Sequence, residues 1–390
     1  MRWYLLLLAP LLYGGVLTST KEKEIQLERQ KAQVQASKLE TSWIDPIRLS
    51  YLYQKGDQFP NQLLENFTIS IDQPIFKSLG IWEAIRYARA KRGESLQGVE
   101  LKRKELIASV YKLAFTIKRL QLQYRKNIYA LDNAKIDVEV KKESYKSGEL
   151  DGTFLNDAIL KKNTIALTLL DLRQRIEESK RKLHDLSDLS VDRIKLPTLK
   201  LLPLDRFVRD NLALHQAKSA QRSAKHFKNM TISRYLPSIS LFVHYNYQKS
   251  QGSLYAPGFS YMDHFYTYGL KVAMPLDINA YKEIESAKVD YLRSLNKRLD
   301  LLRQKRDLYR EILKKLQILD RKIALTKEDI DLYKELLEDT KKRYEAGEKT
   351  IYDLQTMKNS LEQKRVDLEI FAIDKQLLLL ELYKEVSDEI

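Results

Sequence analysis

Five histidines are the side chains of this 390-residue chain best suited to metal binding or to acid–base catalysis near neutral pH. They show no ligand spacing such as His-x-x-x-His, and they stand at His184, His215, His226, His244 and His264. The sequence has no cysteine, which excludes thiol catalysis, disulfide frameworks and zinc fingers. It also has no Gly-rich phosphate loop and no serine-centred elbow. We therefore predict no enzyme, no cofactor and no metal site.

The basic charge of the chain invites a nucleic-acid interpretation, because 68 Lys and Arg against 53 Asp and Glu leave a formal charge of +15. The densest basic clusters, at 102–104, 180–182 and 341–343, each lie in a stretch that also carries acidic residues. Charge of mixed sign along a helix is typical of a solvated surface. We therefore expect no nucleic-acid partner.

Long helices are the elements that must position any functional residues, because only 12 Gly and 9 Pro interrupt 390 residues. Two stretches carry apolar residues in steps of three and four, with Lys, Arg and Glu between them, and this repeat predicts coiled coils. Gln121 and Arg306 are the polar exceptions. The apolar positions are Ile107, Val110, Ala114, Ile117, Tyr124, Ile128 and Leu131, and then Leu292, Leu295, Leu299, Leu302, Tyr309, Leu313 and Leu316.

Each coiled-coil stretch ends at a glycine, Gly148 or Gly347, and these lie 199 residues apart in similar local sequences. Glycine suits the residue after a helix because it adopts positive φ without steric cost. Thr153 and Thr350 stand where a returning helix would begin. The sequence therefore predicts two helical hairpins, with tip residues Tyr145, Gly148, Leu155, Tyr344, Gly347, Thr350 and Leu354.

A pair of short alternating segments precedes each hairpin, and each pair lies between two prolines, at about 46–74 and 237–275. Alternation of apolar and polar residues with Tyr and β-branched side chains predicts strands with one apolar face. Roughly 70 residues, a helix of about 100 Å, separate each closing proline from the hairpin glycine. The apolar positions are Ile47, Leu49, Tyr51, Tyr53, Phe67, Ile69 and Ile71, and then Ile239, Leu241, Val243, Tyr245, Tyr247, Tyr266, Tyr268, Leu270 and Val272.

The chain reads as one unit written twice, residues 21–200 and 201–390, after a signal peptide at 1–20. The signal is predicted from Arg2, a short apolar run and small residues near Ser19 and Thr20. Segment 21–43 is shorter than its counterpart 204–235, so we expect the first half to lack part of one helix.

The apolar strand faces of an exported chain need a partner to bury them. Four strands cannot close a pore, and an open sheet edge cannot face lipid, so several copies must share a sheet. The same alternation of apolar and polar residues also fits a soluble β-sandwich whose apolar strand faces form the core. In the shared sheet, six tyrosines would form membrane-interface girdles: Tyr51, Tyr53, Tyr245, Tyr247, Tyr266 and Tyr268.

The order of helix, strand hairpin and long helical hairpin, found twice, resembles the TolC-like outer-membrane efflux proteins. The matching segments are 235–241, 269–276 and, most specifically, the tip sequence 343–354. The resemblance covers nearly all of the chain after the signal. It implies a mainly α protein with membrane β-strands, a homotrimer with a twelve-stranded barrel and an α-helical tunnel. It also implies location in the outer membrane of a Gram-negative bacterium, with contact to its lipid and a large periplasmic portion.

The same resemblance implies an exit duct of a tripartite efflux pump or type I secretion system, a passive channel whose hairpin tips dock a periplasmic adaptor. An inner-membrane transporter would supply the energy. In the family an Asp pair after the second tip often guards the tunnel entrance. Here Asp353 matches the first position and Thr356 occupies the second. Asp157, which lies 199 residues before Thr356, could supply the other carboxylate from the first hairpin. Carboxylates around a narrow pore favour cations, although Lys349 lies beside Asp353.

Two other interpretations stay open. A periplasmic adaptor of the membrane-fusion type also carries a helical hairpin on an exported chain, but it would have one hairpin between two halves of a small β-domain. A coiled-coil scaffold without channel activity would leave the tyrosine-rich strands and the signal without purpose.

Overall fold

The computed structural model of the chain describes residues 15–56, 62–252, 258 and 260–387. Two strands, a long helix and a shorter returning helix occur in that order twice, as predicted for a duplicated unit. The elements are α1 Ser19–Glu40, β1 Arg48–Gly56, β2 Gln62–Phe76, α2 Gly80–Lys146, α3 Gly152–His184, a 3-10 turn Val191–Arg193, α4 Leu204–Arg209, α5 Leu212–Arg234, β3 Ser238–Gln251, β4 Ser260–Ala273, α6 Ala280–Glu345 and α7 Ile351–Tyr383.

The predicted signal peptide lies largely outside the described residues, which begin at 15. Ser19 and Thr20, the candidate cleavage positions, are the first two residues of α1. Among the helices in the described part of the chain, none is both long enough and apolar enough to cross a membrane.

The described residues divide into two compact units, and each unit takes segments from both sequence repeats. The first comprises 15–26, 100–212 and 303–387, and it contains both helical hairpin tips. The second comprises 27–99 and 213–302, and it contains the sheet.

The four strands form one antiparallel sheet in the order β1-β2-β3-β4, so the β2–β3 pair joins the two repeats. Every predicted strand is present, because alternating β-branched and aromatic residues fit a pleated surface with one apolar face. β2 continues through Pro74 to Phe76, with a register shift between these residues. Pro74 lacks an N–H for the ladder, and a bulge is where a strand tolerates that loss.

The core of the first unit confirms part of the predicted seam. Val110, Ala114 and Ile117 of α2 are fully buried, and Tyr309 and Leu316 of α6 are buried as well. Other α2 side chains that lie off the predicted seam are also buried, namely Tyr111, Phe115 and Leu120. The α2 helix therefore packs over more than one narrow stripe. In the second unit the predicted seam residues Leu292 and Leu299 are exposed on the single chain.

The first half was expected to lack part of one helix, but within the described residues it lacks a counterpart of one short helix instead. Segment 204–235 folds as two helices, α4 of 6 residues and α5 of 23 residues, and α1 with 22 residues matches α5. The extra sequence of the second half is the short helix α4, which buries Phe207 against the ring of Tyr309 at 5.9 Å between centroids.

Candidate functional site

Both hairpin tips close with the same hydrogen-bonded turn. At the first tip Gly148 N–H donates to Tyr145 O and Glu149 N–H donates to Ser144 O, at 3.2 and 2.9 Å. Gly148 has φ +81°, the left-handed conformation that this turn requires after a helix.

The second tip repeats the arrangement residue for residue. Gly347 N–H donates to Tyr344 O at 3.0 Å, Glu348 N–H donates to Arg343 O at 2.8 Å, and Gly347 has φ +79°. The side chains of Tyr145 and Tyr344 are exposed beside the turns. The two predicted glycines therefore have the conformational role expected of them.

The returning helices begin with different caps. Thr350 caps α7, as predicted, since its Oγ1 accepts from Asp353 N–H at 3.2 Å and the Asp353 carboxylate accepts from Thr350 N–H at 3.0 Å. The first returning helix begins at Gly152, one residue before the predicted start at Thr153, and its cap is Asp151, which accepts from Thr153 N–H at 3.0 Å. Asp and Thr are both good caps, and only the turn geometry selects between them.

Asp353 is held in its ionised form by this capping box. The Thr350 backbone N–H, and then the Thr350 hydroxyl, hold the pKa of the Asp353 carboxyl below its ordinary value. The carboxylate that resembles a gate residue therefore also has a structural partner on its own chain.

The other gate candidates differ in exposure and in their relation to Asp353, and the charge of Lys349 also helps to lower the pKa of the Asp353 carboxyl. Asp157 is exposed near the start of α3 and Lys349 is exposed within the second tip, whereas Thr356 is half-buried. Within the described residues, no hydrogen bond or ion pair joins Asp157 to Asp353. Leu155 and Leu354, the paired tip leucines, are both half-buried at the start of their helices.

A polar contact between the two hairpins was not predicted. Asn359 of α7 is buried, and its Nδ2 donates to Asn133 Oδ1 of α2 at 2.8 Å. Asn133 Nδ2 in turn reaches Ser360 Oγ at 3.3 Å and Thr356 O at 3.4 Å. Asn133 lies off the apolar repeat of α2, so the sequence carries no signal for this pair.

Ion pairs extend the contact between α2 and α7, and in each of four pairs the cation belongs to α2 and the acid to α7. The Nζ or Nη to carboxylate distances are 2.5–3.2 Å, and the pairs are Lys112–Glu381, Arg119–Asp374, Arg125–Glu369 and Lys126–Asp367. On its other side, Lys364 and Lys375 of α7 pair with Asp329 and Asp320 of α6. Helix α7 therefore lies between α2 and α6.

The pKa of the Glu381 carboxyl, in the first of these ion pairs, is affected both by burial and by hydrogen bonds. Burial raises the pKa of the Glu381 carboxyl, but hydrogen bonds from Lys384 and Lys112 outweigh that effect and bring the pKa below its ordinary value. The acid is therefore ionised where it meets α2.

Helices α3 and α6 each carry a row of exposed leucines. On α3 the row stands about 12–27 Å from the helix start, and on α6 about 14–30 Å from the helix end, at 1.5 Å per residue. The rows therefore lie at matching distances from the two tips. They comprise Leu160, Leu167 and Leu170 on α3, and Leu325, Leu332 and Leu336 on α6.

The sheet of the second unit has one aromatic and apolar face. Strand register places Tyr51, Phe67 and Tyr247 in one row across it, and Tyr245 and Tyr266 in the next. Tyr53 and Tyr268 lie on the same face, so all six predicted girdle tyrosines share it. The tyrosines occupy the half of the sheet nearer the strand hairpins, and Leu, Val and Ile occupy the half nearer the helices. From Ile239 to Tyr247 the apolar face measures about 27 Å along β3.

The opposite face of the sheet is polar. Thr68 Oγ1 donates to Asn246 Oδ1 across β2 and β3 at 3.1 Å, and His244 Nε2 lies 3.2 Å from Asp72 Oδ1. His244 therefore has a carboxylate partner on the polar face.

Several solved structures resemble this chain over nearly its whole length. The outer membrane protein VceC of Vibrio cholerae has 16% sequence identity and a TM-score of 0.74, with 95% of this chain and 94% of that chain covered. The CmeC outer membrane channel of Campylobacter jejuni has 14% identity and a TM-score of 0.73, with 96% and 85% covered.

The open-state MtrE outer membrane channel of Neisseria gonorrhoeae has 14% identity and a TM-score of 0.67, with 94% and 86% covered. No protein-family model matches the chain, and no curated protein matches it in sequence. At these identities the likeness concerns the fold. The chain therefore has the fold of these outer membrane channels, as its resemblance to the TolC-like proteins implied.

Proposed function

We propose that three copies of this chain form a passive exit duct in the outer membrane of a Gram-negative bacterium. The duct serves a tripartite efflux pump or a type I secretion system, with most of each chain in the periplasm. A periplasmic adaptor docks on the hairpin tips, and an inner-membrane transporter supplies the energy. The solved channels with the same fold support this assignment.

The sheet is the observation that carries the proposal. Within the described residues, β1 and β4 each have a strand neighbour on one side only, while one broad face is aromatic and apolar. Edge strands exposed to lipid would leave backbone groups unpaired. Pairing β4 of one copy with β1 of the next satisfies those groups, and three copies of four strands give a twelve-stranded barrel. The apolar face then contacts outer-membrane lipid, with the six tyrosines near one interface.

The exposed leucine rows of the first unit support the same assembly. Ion pairs place α7 between α2 and α6, and α3 follows α2 through the first tip, so we take α3 and α6 as the two outer helices. The α3 row of one copy matches the α6 row of the next in chemistry and in distance from the tips. Burying these rows in pairs would close the helices into a tunnel, since exposed leucines at heptad spacing are typical of an unpaired coiled-coil seam.

The tips carry the docking and gating parts of the proposal. The adaptor contacts the seven tip residues identified from the sequence, which surround two identical glycine turns. Asp353 and Asp157 contribute a ring of negative charge at the tunnel entrance, with Thr356 below it and Lys349 on its rim. The capping box supports the gate by keeping Asp353 ionised and fixed in direction.

Planar-bilayer recording of the detergent-extracted protein tests the proposal. We expect cation-selective channels from a heat-sensitive trimer, with lower selectivity in the variant Asp157→Ala/Asp353→Ala. Thr350→Ala is the matched control, because it weakens the same cap and keeps the carboxylate. Equal loss in both variants would refute the gate. Well-folded protein that is soluble without detergent and forms no channels would refute the duct in favour of an adaptor or scaffold.

A further inference from the structure

A cavity of about 250 Å³ lies in the second unit, where the sheet meets the helices. Four segments build it: the start of the α1–β1 connection, the β2–α2 connection, the start of α2, and the α5–β3 junction. Apolar side chains form its wall, and two cations line it, Lys77 and Arg234. No acidic side chain is among the described residues that line it. The cavity is smaller than ordinary cofactor pockets, so it suits a head group rather than a whole lipid.

Two donors at this cavity have capacity for an anion. Within the described residues, the ammonium group of Lys77 has no hydrogen bond or ion pair. Arg234 Nη1 meets Glu283 Oε2 at 3.4 Å, which leaves other N–H groups of its planar fork available. The hydroxyls of Ser42 and Ser233 donate to backbone carbonyls, so they add no donor. Recognition at this site is therefore cationic.

The segment that carries Lys77 is fixed in place. Ser78 Oγ donates to Pro237 O at 2.7 Å and ties the connection to the start of β3, and Gly80 N–H donates to Lys77 O. A side chain at Gly80 would come within 2.5 Å of Ser233 Oγ, so the two segments are in close contact. The cavity is thus a built feature of this junction.

Exposed apolar side chains flank the cavity on the outside. Leu79 is 69% exposed and Trp82 is 64% exposed, immediately before and after lining residues Gly80 and Ile81. Trp43, another lining residue, also has an indole. Tryptophan is enriched where an apolar phase meets water, and lysine extends its ammonium toward head groups at that level.

We propose that this cavity binds the phosphodiester head group of a membrane phospholipid, with Lys77 and Arg234 on the phosphate and the acyl chains along Leu79 and Trp82. The inference rests on the membrane position given under Proposed function. There, the apolar face of the sheet ends at Ile239 and Val272, beside the cavity, so head groups of the inner leaflet lie at this level. The ligand is thereby a structural lipid held at a defined site.

Native mass spectrometry of the delipidated full-length protein, titrated with dioleoyl phosphatidylglycerol, tests the site. We expect Lys77→Gln to raise the apparent Kd about tenfold, because a charge-assisted contact is lost. Ala84→Leu fills the cavity without changing charge and should have a similar effect. Lys288→Gln removes an exposed lysine of α6 outside the cavity and should change the Kd by less than about twofold.

Several results would overturn the proposal. Unchanged binding in both cavity variants would do so, and so would equal displacement of the lipid by inorganic phosphate, which would show a free-anion site. The same preparation is recorded in planar bilayers. Channels from the wild type together with unaffected lipid binding would refute this site alone, whereas soluble protein without channels would refute the duct itself.

Discussion

Substitution of Gly347 isolates the contribution of backbone conformation to the second hairpin tip. A Cβ atom built at Gly347 meets no heavy atom within 4 Å, so a side chain there causes no clash. The remaining cost is that of φ +79°, which is about 1–2 kcal/mol for a residue with a side chain. Asn tolerates this conformation better than Ala, and Val tolerates it worst.

A cost of that size should appear as faster local opening of the tip. We expect Gly347→Ala to accelerate amide hydrogen exchange at the second tip about five- to thirtyfold. The acceleration should be smaller in Gly347→Asn and larger in Gly347→Val. The measurement is hydrogen–deuterium exchange by mass spectrometry on the detergent-solubilised protein, with strand peptides as internal reference. Local exchange is the suitable readout because a large assembly does not unfold in two states.

The matched series at Gly148 should give the same order, since φ is +81° and no atom lies within 4 Å there either. Wild-type exchange in Gly347→Ala, or an Asn variant as fast as the Val variant, would refute the conformational explanation. The series therefore separates backbone strain from side-chain contact.

Three further predictions concern the cap, the inter-hairpin contact and the assembly. The stability that ionised Asp353 gives the second tip is complete above the ordinary pKa of about 3.9 and is lost as pH falls through the lower pKa of the folded state. Amide hydrogen exchange at the tip, relative to the intrinsic rate, should therefore rise below pH 4. Asp353→Asn should show that faster exchange already at pH 7, and pH-independent exchange in wild type would contradict this. Asn359→Leu leaves Asn133 Oδ1 without its donor and should lower the local stability of this contact by about 1–3 kcal/mol, measured as faster hydrogen exchange in α2 and α7 there. Replacing both asparagines by Leu should restore most of the protection, and a double variant that exchanges faster than the single would count against the contact. Leu332→Glu should abolish the trimer band on a gel while Leu332→Met retains it, and an intact trimer in Leu332→Glu would exclude the α3–α6 seam.

Elements with a local chemical requirement were predictable from the sequence. Gly148 and Gly347 stood out because a helix followed by a left-handed residue selects glycine, and both have positive φ. The strands were predictable because apolar and polar residues alternate over most of their length, and this period of two is typical of strands and of few other structures. The cap of α3 was not, since Asp151 and Thr153 lie two residues apart and both residue types cap helices.

Features that depend on tertiary packing left no readable pattern. Asn133 and Asn359 are 226 residues apart on separate hairpins, so their hydrogen bond follows from how α2 and α7 pack. The cavity beside Lys77 likewise draws on four chain segments. Leu292 and Leu299 are exposed on the single chain. A heptad pattern therefore identifies an apolar helix surface but does not indicate which element packs against it.

The unequal helix caps have a consequence for symmetry. Both tips share one glycine turn, but α7 begins with a reciprocal Thr350–Asp353 box and α3 with the single acceptor Asp151. In the proposed trimer, six tips therefore alternate between two chemical kinds around a three-fold axis, which makes the apparent six-fold arrangement only approximate. A partner that recognises the capping box occupies three equivalent positions, and one that reads only the shared turn occupies six.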